Sequence, residues 1–109
     1  DRFDQAYRQK WGAGPQSFTA NLYDAVYLLA IAMELADDPD NGSQIRDQLL
    51  YSTALGMQVG PGEWSSALRY ISGGDRTLNY EGASGPVDFD AHGDVMSDID
   101  VWSIDANGQ

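Results

Sequence analysis

A chain of 109 residues, 42% of them hydrophobic, is at most one domain with a modest core, which excludes wholesale disorder. Seventeen acidic residues against six basic ones give a net charge of -11, which repels nucleic acid and anionic membranes. With no cysteine, disulfides and thiolate metal sites are excluded, and the longest apolar run, residues 25–33, is too short for a membrane span.

The chain opens at Asp1 with its first element starting almost at once, so a piece of a longer protein is expected. Phe3 and Tyr7, four apart with Ala6 beside them, predict a short helix that stops before Gly12-Ala13-Gly14-Pro15. Ser17 is the expected N-cap of the strongest helix. There Leu22, Val26, Leu29, Met33 and Ala36 recur at steps of three or four, an apolar stripe running to the Asp37-Asp38-Pro39-Asp40-Asn41-Gly42 turn. The companion stripe of Tyr23, Tyr27, Ala30 and Glu34 is more polar, which predicts one core face and one face bordering solvent or a cleft.

Ser43 is placed to cap a third helix, with Ile45 and Leu49 facing inward. Pro61-Gly62-Glu63 starts a fourth, in which Trp64, Ala67, Leu68 and Ile71 fall on one face and Gly73-Gly74 form the stop. Residues 75–85 turn to Gly, Ser, Asn and Thr, a loop with a short extended piece around 77–80. The expected division is a helical part, 1–72, and a part of loop, hairpin and terminal strand, 73–109. Four helices followed by a hairpin lack the alternating units of a self-contained parallel sheet. The helices therefore read as covers for a sheet encoded elsewhere.

The stretch PVDFDAHGDV nearly spells a calcium loop, but counting from Asp88 puts His92 at position five and Ile99 where a bidentate Glu should close the site. A hairpin explains more of it. Val87 and Phe89 alternate with Asp88 and Asp90, Ala91-His92-Gly93 turns the chain, and 99–104 supplies the returning run. No metal or cofactor is expected.

Catalytic signals are weak. His92 is the only histidine, neither Ser84 nor Ser97 sits in a nucleophile elbow, and the glycine-rich stretches 56–62 and 73–85 lack a phosphate-loop ending. The chain is not expected to be an enzyme. Phe18, Tyr23 and Tyr27 cluster at the start of the second helix with Asn21 and Asp24 among them, apolar walls and polar groups that suit a small-molecule pocket. Core packing is the competing account of any one ring. Asp24 needs water or a partner.

The ordered set Phe18-Thr19-Ala20-Asn21-Leu22-Tyr23-Asp24-Ala25-Val26, Ile45-Arg46-Asp47-Gln48-Leu49, Pro61-Gly62-Glu63-Trp64 and Tyr80-Glu81-Gly82-Ala83-Ser84-Gly85-Pro86-Val87-Asp88-Phe89-Asp90 with Gly93-Asp94-Val95 carries a resemblance. It is similar to the C-terminal part of the type I periplasmic solute-binding proteins, the extracellular ligand-binding receptors of branched-chain amino acid ABC transporters. The resemblance implies an α/β fold, here a partial type I periplasmic-binding-protein fold with helices followed by a C-terminal β-hairpin and strand. It implies a two-lobed receptor closing on an amino acid or similar small polar metabolite, an ABC permease as partner, and a periplasmic or extracellular location with a lipid anchor on an N-terminus outside this chain.

Within that resemblance Phe18 aligns with an aromatic that walls the ligand's side-chain pocket. Asn21, Tyr23 and Asp24 are its candidate polar neighbours. The groups that grip an amino acid's charged ends lie upstream in the family, so this segment alone is expected to bind poorly and to self-associate through an exposed apolar face. A sensory receptor domain on the same fold is the alternative role, and a calcium-binding structural module is a third.

Overall fold

The computed structural model describes residues 2–51, 54–96, 101 and 103–108. Helix α1, Arg2–Trp11, carries Phe3, Tyr7 and Trp11 at steps of four, so their rings meet along one side, tilted at 44° and 46° with centroids 5.9 and 6.3 Å apart. An Asp4–Arg8 ion pair of 2.8 Å braces another side. The helix ends at Gly12, whose positive φ of 73° lets its amide reach back to the Arg8 carbonyl. No residue of α1 is buried, and its Phe3 ring meets Tyr23 at 5.2 Å.

Helix α2, Thr19–Leu35, is the centre of the core. Its buried residues are Asp24, Tyr27, Leu28, Ile31, Ala32 and Leu35, the i, i+3, i+4, i+7 pattern of a packed face. This corrects the expected phase. Leu22, Val26, Leu29 and Met33 face outward, the first two more than 60% exposed. The helix is apolar on both sides, so periodicity alone chose between two stripes, and an acid on the true one argued against it. Nor does Ser17 cap the helix. Phe18 takes the N-cap position with φ 63° and no side-chain cap bond.

Helix α3, Gly42–Tyr51, is capped by Asn41, whose Oδ1 accepts from the amides of Ser43 and Gln44 at 3.0 and 3.2 Å. Ser43, the expected cap, lies inside the first turn. The helix packs against α2, with Leu49 against the core.

Strand β1 (Met57–Val59), helix α4 (Trp64–Ser72) and strand β2 (Leu78–Tyr80) form a strand–helix–strand unit in which the two strands pair parallel, Val59 opposite Tyr80. The expectation that such a unit is missing is therefore corrected. Met57 and Val59 alternate with Gly56, Gln58 and Gly60, too short a run to register as a strand. Gly56 is required here. Its φ is 114°, and a Cβ would collide with the Thr77 backbone. On α4 the buried centre is Ala67, with Trp64, Leu68 and Ile71 partly buried around it, Trp64 and Ile71 against the core.

After β2 the chain turns back. Phe89 bridges antiparallel to Val95, and Asp90 Oδ1 accepts from the amides of His92 and Asp94 at 2.8 and 3.0 Å. These amide bonds hold the Asp90 carboxyl below the usual carboxylate range. The turn closes on Val95, the Asp90 side chain folding the chain back at once. Residues 99, 100 and 102 lie outside the described residues, while Val101 and Ile104 are exposed and not in a strand. Tyr80, Leu78, Val59, Ile31 and Leu35 fill the core, each contributing about 1.5–3 kcal/mol by burial. The result is a mixed α/β arrangement consistent with a partial periplasmic-binding fold. No helix among the described residues is long and apolar enough to cross a membrane.

Candidate functional site

In parallel α/β sheets the loops leaving the carboxyl ends of the strands are where ligands are met. Helix α2 holds both such loops. Tyr23 Oη accepts from the Gly62 amide at 3.1 Å, in the loop after β1. Asp24 holds the loop after β2: its Oδ1 accepts from Tyr80 Oη at 2.8 Å and the Ala83 amide at 2.7 Å, and its Oδ2 from the Ser84 amide and Oγ at 2.7 and 2.6 Å. Four donors account for a carboxyl group that is only 2% exposed. Gly82 makes the approach feasible, since a Cβ there would lie 2.5 Å from Asp24 Oδ2.

Aromatic side chains extend from this clasp. Tyr27 stacks on Tyr80 with centroids 4.8 Å apart and meets Trp64 edge-on at 5.6 Å. Burial, with Asp24 accepting its hydrogen bond, pushes the Tyr80 phenol well above its ordinary value. Burial also pushes Tyr27 up to about 12, with the Tyr23 and Glu63 charges adding to it. The Tyr27 hydroxyl makes no hydrogen bond among the described residues. The nearby Glu63 amide is spent on the Gly60 carbonyl at 3.0 Å.

Between α1, α2 and the 61–64 segment lies a groove of about 860 Å³, within the range of small-molecule sites. Six rings line it: Phe3, Tyr7, Trp11, Tyr23, Tyr27 and Trp64. Among the described residues its charged lining side chains are Arg2 and Lys10.

The four predicted site residues are separated by this geometry. Phe18 stands 80% exposed at the head of α2 and Asn21 is exposed beside it, Tyr23 borders the groove, and Asp24 is turned into the interior. Sequence reasoning missed Tyr80 as the partner of Asp24, and Trp11, Trp64 and Lys10 as groove residues. The four-residue step from Tyr7 to Trp11 was the available signal for the groove. His92 is exposed in the turn. Among the described residues no three His, Cys, Asp or Glu side chains are grouped to hold a metal, while Asp98 and Asp100 lie outside those residues.

Comparison with known families gives a match to the receptor family ligand-binding region over residues 2–107. The chain belongs to this family. It is the type I periplasmic-binding-protein-like family, which supports a ligand-binding role for the chain and a small molecule as what is bound. No curated protein and no solved structure matches the chain. Membership in the receptor family agrees with the strand–helix–strand unit and with the placing of α2 across the carboxyl ends of its strands.

Proposed function

We propose that this chain is a segment of a two-lobed solute receptor that serves an ABC importer outside the cytoplasm, capturing an amino acid or similar small polar metabolite by lobe closure and without catalysis. The observation that carries this reading is Phe18. A phenylalanine at φ 63° and 80% exposed occupies a backbone region costly for a residue with a Cβ and leaves its ring in water. Neither feature helps this chain fold. Both suit a ring held out as one wall of a pocket whose other wall comes from the facing lobe.

Closure then follows from differential contact. A ligand touched by Phe18 and by the opposite lobe binds the closed form better than the open one, and shifts the population towards it. The hydroxyl and carboxyl of Tyr23 and Asp24 serve the site indirectly, by fixing α2 to the two loops beneath Phe18. Asn21, exposed one turn on from Phe18, is the polar group available on the same end of the helix.

Isothermal titration with a panel of amino acids tests the reading. The two-lobed receptor containing this segment gives saturable heats with at least one of them, whereas the 109-residue chain gives none. Equal binding by the isolated chain would move the amino-acid site away from a cleft between lobes.

A further inference from the structure

We propose that the groove between α1 and α2 is a second binding site, separate from Phe18, and that it takes a flat aromatic carboxylate. Its walls are the first reason. Six aromatic rings from three helices face one space of about 860 Å³, a lining that rewards a planar apolar body through offset and edge contacts.

Charge is the second reason. In a chain with a net charge of -11, the charged side chains that line this groove among the described residues are two cations, Arg2 and Lys10. Arg2 lies 3.9 Å from Glu63, whereas Lys10 has no ion pair among the described residues and places Nζ 5.2 Å from the Trp11 ring centroid. A carboxylate at this end meets an ammonium group that no acid among the described residues neutralises, while the surrounding surface repels anions that lack an apolar body to hold them.

The third reason is independent of both. Tyr27 belongs to the groove wall and is 9% exposed, yet its hydroxyl makes no hydrogen bond among the described residues. Buried hydroxyls are seldom left so, and an acceptor on the ligand's ring satisfies this one. The expected ligand is thus an aromatic acid carrying a ring oxygen away from its carboxylate. Phe18 does not line the groove, so the two sites fail or stand separately.

The test titrates the 109-residue chain with hydroxynaphthoate, naphthoate, naphthylmethanol and naphthylmethylammonium, following tryptophan quenching and heat. The anions bind about tenfold or more tighter than the cation, and Lys10→Glu removes about tenfold of that preference, the scale of one lost charge contact. Tyr27→Phe weakens hydroxynaphthoate but not naphthoate, a difference that a purely structural role for the hydroxyl does not produce. Phe18→Ala changes neither. Equal binding of anion and cation, or Lys10→Glu without effect, would overturn the proposal. A chain that sediments as a dimer, releases monomers on Lys10→Glu and binds no naphthoate would assign the groove to a second copy and overturn it as well.

Discussion

Tyr80 Oη donates a 2.8 Å hydrogen bond to Oδ1 of Asp24, joining residues 56 positions apart in the interior. With the Ala83 and Ser84 amides and the Ser84 hydroxyl on the same carboxyl group, this bond ties α2 to the end of β2. Asp24→Ala strands these donors and costs at least about 3 kcal/mol, since each buried donor left unpaired costs about 1–3 kcal/mol. Tyr80→Phe removes one donor and costs about 1.5–3 kcal/mol. Urea unfolding of the 109-residue chain measures both, and an Asp24→Ala loss within about 0.5 kcal/mol, the surface range, would contradict the clasp.

The phase of α2 has its own test. Ile31 is 1% exposed and Val26 62%, so Ile31→Ala costs about 2–5 kcal/mol while Val26→Ala stays within about 0.5 kcal/mol. The reverse order would restore the stripe that periodicity favours.

Local signals in the sequence were legible where the cause is local. Gly12 and Gly73-Gly74 end their helices as read, because a helix stop needs only the next residue or two. The phase of α2 was not legible, because Asp24 looks polar until Tyr80 and the 83–84 amides are brought to it from across the fold. Strand β1 was lost for a similar reason: three residues between glycines become a strand only when β2 arrives beside them. Family membership was legible from ordered motifs, whereas the groove was not, since it needs α1 to lean on α2 through Phe3 and Tyr23.

Alkaline pH probes the stacked tyrosines. Both phenols are raised in the fold by burial, so above the ordinary phenol value of about 10 the unfolded chain loses protons that the folded chain keeps. Stability is fully present below that pH and declines as pH rises towards the folded value of about 12 for Tyr27. Melting temperatures between about pH 8 and 11 fall accordingly, and Tyr27→Phe flattens the fall. Ionisation of every tyrosine with the circular dichroism unchanged would contradict the burial of these rings.

Backbone strain at Phe18 predicts a trade between stability and binding. Phe18→Gly removes a left-handed conformation costing about 1–2 kcal/mol and loses almost no packing, since the ring is 80% exposed. The glycine variant therefore melts at or above the wild-type temperature, despite the entropy glycine adds to the unfolded state. A clear drop in melting temperature would show that the ring is packed.

The most direct measurement is an amino-acid titration of the two-lobed receptor carrying Phe18→Ala, alongside its melting curve. A ring that serves as a pocket wall is worth about 1.4 kcal/mol or more of binding, so affinity falls about tenfold or further while the unliganded melting temperature is unchanged. Unaltered affinity with a stable fold would contradict the account, because the strained and exposed Phe18 would then have no part in holding the ligand.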